Sequence, residues 1–256
     1  MVCGKNAFDL VYLTTFEDQK VLIRVLEYFG FERTETSASG EHTYEKPLPK
    51  ELLTPKNGED LFELARLNYP RFVSRPAADA FCVPIRGAYH DILFPELVPQ
   101  NENDASAPTG KGASTKDSRK PGNTIRKVYL CRAQTTQLMP GSVLVFYRSL
   151  SPGYPTSQSL TSVGVVEDVA YARSLKDLVR LTAKRSVYSE AQLDEFEATK
   201  DRPVKVIDFL LIGHLDPVMK LDELQHKNVF AGHPPQSICR LSPERKEVAG
   251  QIRTGR

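Results

Sequence analysis

The chain has 256 residues, enough for one large domain or two modest ones that bury a core without disulfides or structural metal, and its formal charge is only +2. No apolar run approaches ~18 residues, and the opening Met1-Val2-Cys3-Gly4-Lys5-Asn6 lacks an apolar signal core, so neither a membrane partner nor secretion is expected and a cytoplasmic location is implied. Cys3, Cys82, Cys131 and Cys239 form no CxxC pair, which points to reduced thiols and away from a disulfide framework or zinc ribbon.

In chain order, residues 9–16 (DLVYLTTF) read as a strand, and Thr15 with Asp18 suggests a cap for the helix that follows. Val21, Leu22, Val25, Leu26 and Phe29 recur at helical period, and Gly30 supplies the stop. Phe31–Ser37 and His42–Leu48 then read as two strands about a Ser-Gly turn, giving β-α-β-β within 48 residues. Residues 49–71 form a Pro- and Lys-containing linker with a short helix from Gly58 to Leu67, ended before Pro70.

Beyond the linker the pattern changes to apolar strands: 81–85, 125–131, 142–147, 161–169 and 204–213. Five such strands suit a small barrel. Residues 101–123 contain no large apolar side chain and read as a disordered loop. Ser174 with Asp177 and Ser189 with Gln192 are capping signals for helices at 174–184 and 189–199, and a last helix is expected from Ser242-Pro243.

Two resemblances follow. The text VYLTTF, VLIRVLEYFGFERTE and HTYEKPL resembles the closing third of a GNAT N-acetyltransferase, in which a strand, a helix ending in Gly-Phe and two last strands complete the fold. The glycine-rich loop that holds acetyl-CoA in that family has no counterpart here, and Leu26 stands where the family places its tyrosine acid, so no cofactor is expected. Residues 72–256 resemble, from about 72 to 250, the PUA-like superfamily of ASCH and EVE domains. That resemblance rests on Pro140-Gly141-Ser142-Val143-Leu144-Val145-Phe146-Tyr147-Arg148, the strand around Ser162–Glu167, and the return segment Pro234–Ile238. The expected fold class is therefore α+β: a truncated GNAT-like β-α-β-β unit followed by a PUA-like five-stranded β-barrel with peripheral helices.

Charge supports a nucleic-acid reading of the second part. Residues 1–60 hold 7 Lys/Arg against 11 Asp/Glu, which leaves 27 against 21 for the remainder, and 109–132 carries 7 basic residues against one acidic. A bound base needs flat apolar surface and edge hydrogen bonds, and its phosphates need cations. The candidates are Tyr89 and Tyr147, with Phe146 beside them, for stacking, Gln236 and Ser237 for a base edge, and Arg86, Lys127, Arg132 and Arg148 for phosphate. His90-Asp91 reads either as an acid–base pair or as a buried hydrogen-bonding histidine, and His226, His233 and Cys239 match no metal spacing, so no catalytic or metal residue is assigned. The function expected is a non-enzymatic regulatory protein that binds RNA or single-stranded nucleic acid. The alternatives are a partner-dependent GNAT-type acetyltransferase and a protein-binding scaffold. A homodimer through the N-terminal unit is also expected, because a truncated sheet leaves an open edge.

Overall fold

The structure, a computed structural model, describes residues 8–48, 60–71, 78–98, 125–135, 137–154, 156–182, 187–230 and 233–241. The loop expected at 101–123 and the helix expected from Ser242 lie outside them.

The N-terminal unit is a three-stranded antiparallel sheet with one helix. Its elements are β1 (Leu10–Phe16), α1 (Lys20–Tyr28), β2 (Glu32–Thr36) and β3 (Glu41–Pro47), and the sheet order is β1-β3-β2. Thr15 does not cap α1. The strand runs on to Phe16, Thr15 is paired with His42 and buried, and Gln19 begins the helix without a side-chain cap. Gly30 does end it: at φ +80° it allows the Phe31 N–H to donate back to the Leu26 carbonyl, 3.0 Å. In β3 the buried His42, Tyr44 and Lys46 alternate with the more exposed Glu41, Thr43 and Glu45. The Lys46 ammonium donates to the Phe29 carbonyl at 2.6 Å, which identifies its face as the one that α1 covers. Burial, helped by the charge of Arg66, lowers the Lys46 pKa to about 8.

After α2 (Leu61–Asn68), whose first amides are capped by Asp60 at 2.8 and 3.4 Å, comes the larger sheet. Its strands are β4 (Ala80–Ile85), β5 (Arg126–Cys131), β6 (Val143–Arg148), β7 (Ser159–Ala172), β8 (Val204–Lys220) and β9 (Cys239–Arg240), in the order β5-β8-β7-β6-β4-β9. All pairs are antiparallel except β4–β6. This corrects the five-stranded barrel: the return segment adds β9 as a sixth strand, and among the described residues the edge strands β5 and β9 do not pair, so the sheet is not closed. Register shifts along β7 at Leu160/Ser162, Val163/Gly164 and Val166/Asp168 are bulges of the kind that bend a sheet.

Both faces of the larger sheet are covered, which explains the unbroken apolar runs of β4 and β6. Val143, Val145 and Tyr147 pack with Phe29 and Phe62, whereas Leu144 and Phe146 pack with Leu93 and Phe94 beneath α3 (Gly87–Leu93). Beyond β7, α4 (Leu175–Thr182) and α5 (Glu190–Asp194) cover a third cluster that contains Val128, Leu178 and Leu193. Ser174 caps α4 through Asp177 N–H at 3.1 Å, and Ser189 with Gln192 forms the reciprocal capping box of α5. A last short helix, α6 (Leu221–His226), follows β8. No helix among the described residues is long and apolar enough to cross a membrane.

The N-terminal helix is fastened to the larger sheet at one carboxylate. Tyr28 Oη donates to Glu167 at 2.9 Å, Arg126 grips the same carboxylate through Nε at 2.8 Å and through Nη2, and the Arg66 guanidinium lies 4.4 Å from the Tyr28 ring centre. Burial, together with the hydrogen bond and charge of Glu167, pushes the Tyr28 pKa up to about 12. A second fixed approach lies at Gly141, whose φ of +84° turns the chain into β6 directly below α2. A Cβ there would stand 2.4 Å from Leu61 Cβ. Gly141→Ala is therefore expected to lower the unfolding free energy by about 2 kcal/mol through strain and overpacking, read as a shifted urea midpoint at unchanged slope.

Candidate nucleic-acid interface

Alternation along β5 sets the floor of the cleft. Lys127, Tyr129 and Cys131 share one face of the strand, and Tyr129 Oη donates to the Pro84 carbonyl at the end of β4, 3.1 Å away. Two adjoining hollows of about 480 and 470 Å³ open beside this contact and share Pro84, Tyr129, Arg132 and Gln236. Their size is that of a small-ligand pocket. The second hollow continues to Arg86, Tyr89 and Tyr188.

Three rings form a connected wall. Tyr89 of α3 meets Tyr188 with ring centres 4.8 Å apart, and Tyr188 meets Phe196 edge-on at 5.0 Å. Burial and the neighbouring Tyr89 raise the Tyr188 pKa to about 12, so its hydroxyl remains a donor at neutral pH. Cations stand at two sides: Arg86, exposed, is the residue from which α3 starts, and Arg132, also exposed, donates to the carbonyls of Phe196 and Glu197. Glu195 is the acidic residue of the lining.

Of the eight residues singled out in the sequence, five meet here. Arg86, Tyr89, Arg132 and Gln236 line the second hollow, and exposed Ser237 lines the first. The other three are buried elsewhere. Tyr147 is 1% exposed on the opposite face of the sheet, where it packs edge-on against Phe230 at 5.5 Å. Lys127, 3% exposed, lies on the cleft side of β5 but inside the Phe94 layer, its ammonium 5.8 Å from that ring centre, and burial lowers its pKa. Arg148, at the end of β6, is 1% exposed and is consumed by the fold. Phe146 is core, between Phe94 and Phe209.

Arg148 donates to Asp91 through Nη1 at 2.5 Å and Nη2 at 3.1 Å, lies over the Tyr154 ring at 4.0 Å, and directs Nη1 at His90 Nδ1, 3.2 Å away. His90 Nδ1 also lies 3.4 Å from Asp91 Oδ1, and Nε2 bonds Thr161 Oγ1 at 2.8 Å, so both ring nitrogens are engaged inside the fold. His90 is thus the buried hydrogen-bonding histidine rather than an acid–base group exposed to substrate. Gly87 lies against the same group, for a Cβ there would stand 2.3 Å from Ser151 Oγ and 3.2 Å from Arg148 Nη2.

Sequence reading missed Tyr129, Tyr188 and Phe196. Alternation with Lys127 put Tyr129 within reach of inference, and Tyr188 immediately precedes the capping serine of α5, but no local pattern brings either to Tyr89.

No family model matches the chain, and no curated protein matches it. Solved structures do. Among them are crystal structures of the ASCH protein of Zymomonas mobilis, two of them mutant forms, at 15%, 16% and 17% identity. They cover 71%, 68% and 66% of this chain and 99%, 97% and 94% of their own, with TM-scores of 0.44, 0.44 and 0.42. The neighbours are ASCH proteins.

The polar core implies a pH dependence. Burial is the main cause that lowers His90 below the usual 6.5, and it lowers His214, which bonds Ser162 Oγ at 2.9 Å, to about 4. For Asp91, burial acts upward but is outweighed by contacts with His90 and Arg148, so its pKa lies below the usual 3.8. In each case the unfolded chain binds protons that the folded one refuses, so stability is present above the unfolded pKa and is lost as pH falls. The protein is expected to lose stability between about pH 6.5 and pH 4, and His214→Asn should flatten that loss in thermal melts across the range.

Proposed function

We propose that this is a non-enzymatic, cytoplasmic nucleic-acid-binding protein of the ASCH type, whose cleft between β4, β5, α3 and α5 takes a single-stranded segment, RNA foremost, and that it acts as a regulator. The observation that carries this reading is the connected wall of Tyr89, Tyr188 and Phe196 flanked by the exposed guanidiniums of Arg86 and Arg132. Stacked rings accept any base face, while arginines beside them meet phosphate. Gln236 and Ser237 supply exposed amide and hydroxyl groups for a base edge. The excess of basic residues beyond residue 60 gives the same part of the chain a long-range attraction for polyanions.

Lys127, Tyr147 and Arg148 leave the set of proposed contacts because they hold the fold. We read the N-terminal β-α-β-β unit as a fragment of the GNAT fold that serves as an attachment, since Leu26, at the position of the tyrosine acid, is buried.

Fluorescence anisotropy with single-stranded RNA, single-stranded DNA and duplexes at two salt concentrations tests the reading. Single strands are expected to bind with affinity that falls as salt rises. Arg86→Glu and Arg132→Glu should each weaken binding at least ~10-fold and reduce the salt slope by about one, and Tyr188→Ala should cost roughly 1–3 kcal/mol with the slope unchanged. Binding that ignores all three substitutions, or no binding, would overturn it.

A further inference from the structure

The apolar surface of the molecule is unevenly placed. Of the thirteen exposed large hydrophobic side chains among the described residues, eight fall between residues 8 and 25, led by Val21 at 77% and Tyr12 at 68%. Four lie on β1, three on α1, the helix that follows it, and Phe8 stands just before β1. Their combined exposed area is of the order of 700 Å², divided by strand alternation between the two faces of the sheet, and is near the ~800 Å² that each partner contributes to a standard interface.

β1 is also an open edge. It pairs with β3 on one side and with no described strand on the other. The Leu48 N–H donates to the Asp9 carbonyl at 2.7 Å, so Asp9 directs its backbone groups towards β3, and by strand alternation so do Val11, Leu13 and Thr15. The N–H and C=O groups of Leu10, Tyr12 and Thr14 therefore point to the open side, while the Phe16 carbonyl accepts from the Gln19 N–H at 3.1 Å and ends the free ladder. Just before them, Arg71 donates to the Phe8 carbonyl at 3.2 Å, so the free ladder begins at Leu10. Solvent-facing edges are usually guarded by lysine, proline or a bulge. The sequence LVYLTTF has neither lysine nor proline, and its register with β3 is unbroken.

We infer that β1 pairs antiparallel with β1 of a second copy of this chain, joining two three-stranded sheets into one of six strands about a twofold axis at Tyr12. The strand is its own complement in this register. Tyr12 meets Tyr12 as a hydrogen-bonded pair, Leu10 meets Thr14, Val11 meets Leu13, and Asp9 faces Thr15. The register one residue along, centred on Leu13, would set Asp9 against Glu17 at both ends, and like charges directly opposite are destabilising. A twofold axis normal to the sheet places both copies of α1 on the same face of the joined sheet, so that the exposed Val21 and Val25 extend the apolar seam. This inference is independent of nucleic-acid binding, because the cleft lies on the larger sheet.

Sedimentation velocity of the full chain from about 1 to 100 μM decides it. The expected species is a dimer of the 28.7 kDa chain. Tyr12→Glu, which sets a carboxylate against its own copy in the dimer and against Glu45 in the monomer, should sediment as a monomer that keeps the native far-UV circular-dichroism spectrum. Tyr12→Cys should form a disulfide-linked dimer under mild oxidation, because hydrogen-bonded antiparallel pairs hold their Cα atoms ~5.5 Å apart, whereas Leu10→Cys, opposite Thr14, should not. A monomer at every concentration, or a dimer that survives Tyr12→Glu, overturns the inference; a dimer lost in Tyr12→Glu but cross-linked equally by Leu10→Cys overturns the register.

Discussion

The guanidinium of Arg148 is buried at the end of a strand with apolar layers on both faces, and a buried cation must be paired. Its pairing with Asp91 is what locates α3, because Asp91 lies in the middle of that helix. From this one constraint follow the position of Arg86 at the helix start and of Tyr89 one turn on, and with them a wall of the cleft. His90 closes the arrangement from the other side by joining Arg148 to Thr161 on β7. The polar core therefore aims the cleft residues without touching anything bound there.

The same logic explains why sequence reading was uneven. β4 to β8, the Gly30 stop and the capping box at Ser189 depend on neighbours within a few residues, and all were legible. The sixth strand was not, because Cys239–Arg240 is two residues long and exists only through pairing with Phe81 and Cys82. Tyr147 and Arg148 misled for a related reason: alternation implies one wet face, but β6 is covered on both, so its last aromatic and its only cation are buried together. Arg86, Tyr89, Arg132, Gln236 and Ser237 come from three distant stretches, and the residue types were readable where their meeting was not. Tyr188 and Phe196 reach the cleft only because α5 folds back over it.

Charge is arranged in the same divided way. In the N-terminal sheet, strand register sets Glu45 of β3 opposite Glu32 of β2 and Glu35 opposite Thr43, whereas the larger sheet presents arginines at its cleft. Carboxylates repel a polyanion and guanidiniums attract one, so the two sheets differ in the sign of the charge they present.

The crowding at Gly87 has a consequence for descent. A side chain at Gly87 would press on Ser151 Oγ and the Arg148 guanidinium, so the residues at 87, 91 and 148 constrain one another. Loss of the arginine would release the other two together and free α3 to drift. Lineages that keep the trio should keep the cleft in place while the rings that line it vary, so that one scaffold can change what it recognises without relearning how to fold.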